Sequence, residues 1–173
     1  MHRYLFIALT LAFSIPQAMA DARLLKWDEM VPADAPPQTV EPTPLHDLSQ
    51  LANALSESGP AALQQLPDAP VVQALDGQEV KLPGYIVPLD VTEEGRVTEF
   101  LLVPYFGACI HVPPPPSNQI VHVTSELGVL LDALYQPFWI EGPIKVERSS
   151  SELAEAGYTM DAEKIYPYEL SSE

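Results

Sequence analysis

The segment Gln78–Asp90 (QEVKLPGYIVPLD) decides the fold of this chain. It is rich in β-branched and apolar residues, which favours a strand, and a Pro83-Gly84 pair interrupts it. Because proline and glycine inside a long strand mark a bulge or a sharp bend, the segment predicts a strand that turns a corner. Phe138–Arg148 (FWIEGPIKVER) repeats the pattern with Gly142-Pro143 at its centre. Small barrels close where long strands bend in this way, so the two segments predict a barrel.

Three further strands are predicted around these two. Val97–Tyr105 and Gln119–Thr124 supply the second and third strands, and Lys164–Leu170 supplies a short last one. Leu127–Leu134 is compatible with a short helix between the third and fourth strands. Five strands with a helix in that place is the order of an OB-like barrel, so we expect an all-β, OB-like, partly open five-stranded barrel over residues 71–173. A β-sandwich is the alternative architecture.

The first twenty residues have the features of a targeting sequence. Met1–Ala20 combines a basic start at Arg3, a short apolar run and a final Ala18-Met19-Ala20. This pattern is typical of a secretory signal peptide that is cleaved after Ala20. No later run reaches the roughly 18 apolar residues that a membrane-spanning helix needs. We therefore expect a secreted protein that does not insert into the membrane after cleavage.

Residues 21–70 are expected to form an extended arm with short helices. The chain has 19 prolines in 173 residues, about twice the usual share of roughly 5%, and five of them between residues 21 and 44 favour extended chain. Trp27 should dock this arm onto the body, because leaving an indole in water forfeits a favourable burial. A helix is predicted from Asp47 to the Gly59-Pro60 stop, and a second short one over Ala61–Leu66.

The charge of the chain excludes a nucleic-acid partner. Eight Lys and Arg side chains stand against 24 Asp and Glu, which gives a formal net charge of -16. A nucleic-acid duplex would repel such a protein. With 47% hydrophobic residues, the composition is that of a folded domain rather than of a disordered acidic tail.

The block that starts at Cys109 supplies candidate metal ligands. In extended chain, side chains two residues apart share a face, so Cys109 and His111 can reach one ion. Pro113–Pro116 should form a stiff polyproline II arch, and an arch that turns the chain back brings His122 beside them. Cys109, His111 and His122 are thus a candidate set for zinc or copper. A buried cysteine beside hydrogen-bonded core histidines is the alternative structural interpretation.

Two other functions would use the same block. A thiol-dependent enzyme would need Cys109 to be activated by a histidine, but acidic surroundings raise a thiol pKa, so an enzyme is the minority interpretation. An interaction module would present the rigid Pro113–Pro116 loop to a partner, with Asn118 and Gln119 as capping or ligand-binding amides.

Aromatic residues in and beside the strands suggest one more surface. OB-type barrels bind ligands on stacking faces, and a glycan or peptide is compatible with the charge of the chain. Aromatic residues in strands are nevertheless usually part of the core. The residues in question are Tyr85, Tyr105, Phe106, Phe138 and Trp139.

Three segments of the chain resemble those of an uncharacterised family of small secreted proteins from Gram-negative bacteria, a domain of unknown function. They are LPGYIVPLD (Leu82–Asp90), EFLLVPYFGACIHVPPPPSNQIVHV (Glu99–Val123) and FWIEGPIKVE (Phe138–Glu147). The resemblance implies a periplasmic location and an accessory role beside an ABC-type transporter of transition metals, with a membrane transporter component as partner. It carries no established activity and no assigned catalytic residues. We therefore expect a periplasmic, non-enzymatic binding or accessory protein.

Overall fold

The computed structural model describes residues 21–35, 63–109 and 113–169. The expected signal peptide, the helix predicted from Asp47 and the candidate ligand His111 lie outside these residues. The strands are β1 Arg23–Leu24, β2 Gln78–Val91, β3 Arg96–Val103, β4 Val121–Leu130, β5 Phe138–Lys145, β6 Ser149–Ser150, β7 Glu155–Ala156, β8 Tyr158–Asp161 and β9 Lys164–Pro167. Short 3-10 helices cover Trp27–Met30, Gln73–Leu75, Ser117–Gln119 and Leu131–Ala133. In the described ranges, no helix has the length and apolar character needed to cross a membrane.

Five of the strands form a ring of hydrogen-bonded neighbours. The order is β2-β3-β4-β8-β5, and β5 pairs back with β2. β4 and β8 run parallel, whereas the other neighbours in the ring are antiparallel. The contact between β5 and β8 consists of the pairs Ile144–Met160 and Lys145–Thr159, so the ring is partly open there. The predicted all-β, OB-like barrel is confirmed.

The two glycine corners lie where the predicted bends were expected. β2 pairs with β5 up to Gly84 and with β3 from Tyr85 onward, so the strand changes partner at the corner. A Cβ on Gly84 would lie 2.8 Å from the backbone oxygen of Val103. A Cβ on Gly142 would lie 2.5 Å from the backbone oxygen of Asp161. Only glycine permits these approaches, which bring the strands close enough to close the barrel.

Three details of the predicted elements are wrong. The last barrel strand is β8, whose Tyr158 and Met160 alternate into the core, whereas β9 is an added edge strand on β5. Leu127–Leu134 is not a helix, because β4 continues to Leu130 and only one 3-10 turn follows. The described part of the predicted second arm helix, residues 63–66, contains no helix. In the first two cases strand pairing with a distant part of the chain overrides the local pattern.

The arm completes the core of the barrel. Leu25 and Met30 are fully buried in the same cluster as Phe100 and Ile140. The Trp27 indole packs against this cluster and donates a hydrogen bond from Nε1 to the Pro83 carbonyl oxygen at 2.7 Å. The predicted docking of the arm through Trp27 is therefore confirmed.

A second apolar cluster lies on the outer face of β2 and β3. Val87, Leu101 and Val103 point away from the barrel interior, because side chains alternate along a strand. Ala108 and the β7 residue Ala156 cover them, and Cys109 packs against the cluster. The candidate block is thus held on the outer face of the barrel.

Candidate functional site

The proline run is packed into the protein. Pro114, Pro115 and Pro116 are buried and Pro113 is half-buried. The Pro115 carbonyl oxygen accepts a hydrogen bond from Gln64 Nε2 at 2.9 Å. The rigid rings therefore hold the loop against the body of the protein and leave little surface for a partner.

Asn118 and Gln119 form hydrogen bonds within the chain. The fully buried Asn118 donates from Nδ2 to the Pro70 carbonyl oxygen at 2.7 Å. Gln119 donates from Nε2 to the Trp27 carbonyl oxygen, also at 2.7 Å. Buried amides need such partners, and here the bonds fasten the arm and the segment before β2 to the barrel.

His122 connects two neighbouring side chains. Its Nε2 lies 2.8 Å from Glu99 Oε1, and its Nδ1 is hydrogen-bonded to the Ser149 hydroxyl. An ionised carboxylate only accepts hydrogen bonds, so in the neutral ring Nε2 carries the proton and Nδ1 accepts from Ser149. A metal ion would have to displace one of these two partners in order to bind His122.

The order Ser149–His122–Glu99 is also that of a nucleophile, its base and an orienting acid. Ser149 belongs to β6, which pairs with β7, and the N–H of the nearby Ser151 donates to the Ala154 carbonyl oxygen at 3.1 Å. The β6–β7 hairpin contributes Ala156 to the cover of the second apolar cluster. Through these contacts the three side chains also connect that hairpin to β3 and β4.

Cys109 is a half-buried thiol. It has a φ of 66°, in the left-handed region, two residues after Gly107, which also has a positive φ. Burial raises the pKa of the thiol to about 11. At neutral pH the sulfur therefore keeps its proton, although both metal ligation and nucleophilic attack require the thiolate.

The candidate metal set is only partly described. Among the described residues, no group of three or more His, Cys, Asp or Glu side chains is arranged to hold an ion, and His111 lies outside them. Binding of zinc or copper by Cys109, His111 and His122 stays a prediction. A zinc titration of the purified protein against its Cys109→Ala and His111→Ala variants tests it.

The reactivity of Cys109 follows from its raised pKa. We expect iodoacetamide to label the native protein at pH 7 about a hundredfold more slowly than the unfolded protein, since each unit of pKa reduces the thiolate fraction tenfold. The native rate should climb as the pH approaches 11. Mass spectrometry of samples quenched at intervals measures both rates. Equal rates at pH 7 would contradict the buried thiol, and faster labelling of the native protein than of the unfolded one would favour a thiol-dependent enzyme.

An apolar groove of about 310 Å³ opens beside the bend of β2. Aromatic and aliphatic groups form its walls, and the residues that line it are Tyr85, Ile86, Val87, Pro88, Phe106, Gly107, Leu131, Leu134 and Tyr135. No charged side chain is among them. Phe106 is 63% exposed and Tyr135 is 75% exposed, so two large rings face solvent at the groove. Tyr85 meets Phe106 edge-to-face, with ring centroids 5.7 Å apart.

Sequence reasoning found part of this groove. Tyr85 and Phe106 were among the predicted stacking residues and both line it. Phe138 belongs to the core, and Trp139, which contacts Tyr168 and the Lys81 ammonium, does not line the groove. The wall from Leu131 to Tyr135 was missed, because that stretch has a helix-like composition and reaches the groove through pairing with distant chain.

Comparisons with known proteins identify the family. The chain matches the family described as "Protein of unknown function (DUF3299)" over residues 27–167. This chain belongs to the DUF3299 family. It is similar to the crystal structure of a DUF3299 family protein from Pseudomonas aeruginosa, with 64% identity and a TM-score of 0.77, over 88% of this chain and 100% of that one. None of the curated proteins matches.

The family match bears on the site as well as on the fold. The resemblance drawn from the LPGYIVPLD and GACIHVPPPPSNQ segments is confirmed, because both lie inside the matched residues. The DUF3299 match also includes every residue that lines the groove. In this chain the groove therefore lies within the matched domain.

Proposed function

We propose that this DUF3299 protein is a periplasmic, non-enzymatic binding protein whose ligand inserts an apolar group into the groove. The observation that carries the proposal is the exposure of Phe106 and Tyr135 at a concave, uncharged surface. Ligand sites are commonly concave and mostly apolar, with volumes of about 300–1,000 Å³, and this groove has the size of a small one. Covering the two rings would remove apolar surface from water, which favours binding.

The charge of the chain limits the kinds of ligand that can bind. With a net charge of -16, the protein repels anions, and the groove walls offer no basic side chain to an acidic ligand. An uncharged or cationic ligand therefore fits the protein better. We further propose an accessory role beside a membrane transporter, with a transporter component as the partner.

The groove supports a function better than the Cys109 block does. Cys109 is protonated at neutral pH and both ring nitrogens of His122 are bonded within the chain. Asn118 and the buried prolines serve the packing of the loop. The groove walls, in contrast, include two large rings that face solvent.

The neutral fluorescent probe N-phenyl-1-naphthylamine tests the proposal. We expect the wild type to bind it saturably, and Phe106→Ala to weaken binding about tenfold, because an aromatic contact contributes on the order of 1 kcal/mol beyond its buried area. Leu127→Ala is the matched control, since Leu127 is 66% exposed against 63% for Phe106 but does not line the groove. A fluorescence titration measures the affinities. Equal affinities of the two variants, or no saturable binding by the wild type, would contradict the proposal.

A further inference from the structure

Exposed acidic residues lie in the chain segments that continue from the walls of the groove. β2 leaves the groove wall at Pro88 and reaches the exposed Asp90 two residues later. The turn between β2 and β3 then adds the exposed Glu93 and Glu94. A hydrogen bond of 3.0 Å from the Leu131 N–H to the Gly95 carbonyl oxygen joins this turn to the opposite wall.

The opposite wall adds a fourth carboxylate. Asp132 is exposed and lies in the 3-10 turn between the lining residues Leu131 and Leu134. Asp90, Glu93, Glu94 and Asp132 are named the acidic rim. No rim carboxylate forms an ion pair with a described residue.

The base nearest to the rim in sequence is held by backbone. Arg96 donates from Nε to the Leu127 carbonyl oxygen at 2.7 Å and from Nη2 to the Gly128 carbonyl oxygen at 2.9 Å. Its guanidinium therefore anchors the end of β4 and does not pair with the rim. The rim is left with an excess of negative charge beside an apolar cavity, which is a combination that attracts a cation with an apolar neighbour.

Resting on the proposed binding role of the groove, we propose that its occupant is a basic amphipathic segment of a partner protein. One large apolar side chain of that segment enters between Phe106 and Tyr135, and adjacent Lys or Arg residues face the acidic rim. Charge complementarity selects this occupant. An anionic membrane surface would meet repulsion from the rim and from the whole chain, and a neutral ligand would make no use of the rim.

Three short peptides test this inference on the purified protein. They share one tryptophan-leucine core and differ in flanks of Lys, Ser or Glu. We expect the Lys peptide to bind about tenfold more tightly than the Ser peptide at low salt, and the Glu peptide to bind more weakly than both. The preference for Lys should shrink in about 0.5 M salt, where exposed charges are screened within a few ångströms.

Variants separate the rim from the groove. Glu93→Gln combined with Asp132→Asn should remove most of the preference for Lys and leave the Ser peptide unaffected, whereas Phe106→Ala should weaken all three peptides. Glu152→Gln is the control, because Glu152 is an exposed carboxylate in the β6–β7 turn and lies outside the rim.

Equal affinity for the Lys and Ser peptides, with N-phenyl-1-naphthylamine still bound, overturns the inference but leaves the proposed function. If the wild type binds neither the peptides nor N-phenyl-1-naphthylamine, the inference and the proposed function are both overturned. If the wild type binds phosphatidylglycerol vesicles and Phe106→Ala removes that binding, a membrane is the occupant and the inference is overturned.

Discussion

Gly142→Ala is expected to lower the free energy of unfolding by about 3 kcal/mol, because the added Cβ would meet the Asp161 backbone oxygen at 2.5 Å. β5 and β8 touch at this point, and few residue pairs hold them together. Moving the two backbones apart to relieve the clash would open the barrel where it is already partly open. Urea unfolding followed by tryptophan fluorescence measures the change in stability.

Gly77→Ala is the control for this experiment. Gly77 has a φ of 73°, and a methyl group added there would meet open space, so alanine at this position causes backbone strain and no crowding. We expect that variant to lose only about 1 kcal/mol. If Gly142→Ala unfolds at the same urea concentration as the wild type, β5 and β8 do not approach each other as closely as described, and the closure of the barrel is wrong.

Tyr158→Phe is expected to have a comparable effect through lost hydrogen bonds. The fully buried Tyr158 hydroxyl donates to the Met30 carbonyl oxygen and accepts from the Val72 N–H, both at 2.8 Å. Removing one oxygen leaves both backbone groups without this partner, and each such loss costs about 1–3 kcal/mol. We expect a total loss of about 3 kcal/mol in urea unfolding. The arm should also detach more often, so trypsin should cleave at Lys26 faster than in the wild type.

Tyr166→Phe provides the comparison for Tyr158→Phe. The Tyr166 hydroxyl donates to Glu141, and this carboxylate keeps its ion pairs with Lys81 and Lys164 when the hydroxyl is removed. That variant should lose less than about 1 kcal/mol. Equal losses in the two variants, with unchanged cleavage at Lys26, would show that Tyr158 does not hold the arm to the barrel.

The sequence was most informative where a local signal had a single physical meaning. Gly84 and Gly142 interrupt long apolar strands, and only a bend explains a glycine beside a proline in such a place. The strand that closes the barrel could not be identified from the sequence in the same way. β8 is only four residues long, and its place in the barrel depends on parallel pairing with β4, which no local pattern encodes.

The candidate site, too, could be predicted from the sequence only in part. Cys109 and His122 were recognised by residue type, but the partners of His122 come from β3 and β6, far apart in sequence. Glu99 was one carboxylate among many, and Ser149 lies in a run of serines that gives no signal. The groove could be predicted only in part for the same reason. Tyr85 and Phe106 stand out in the sequence as aromatic residues, whereas Leu134 comes to line the groove only through the fold.

Binding at the groove is tested most directly by amide chemical shifts. In a titration of the ¹⁵N-labelled protein with N-phenyl-1-naphthylamine, we predict saturable shifts for Tyr85, Phe106, Gly107, Leu134 and Tyr135, which line the groove. The amides of His122 and Ser149 should stay unchanged. Shifts concentrated at His122 and Ser149, or no saturable shift anywhere in the protein, would contradict a binding role for the groove.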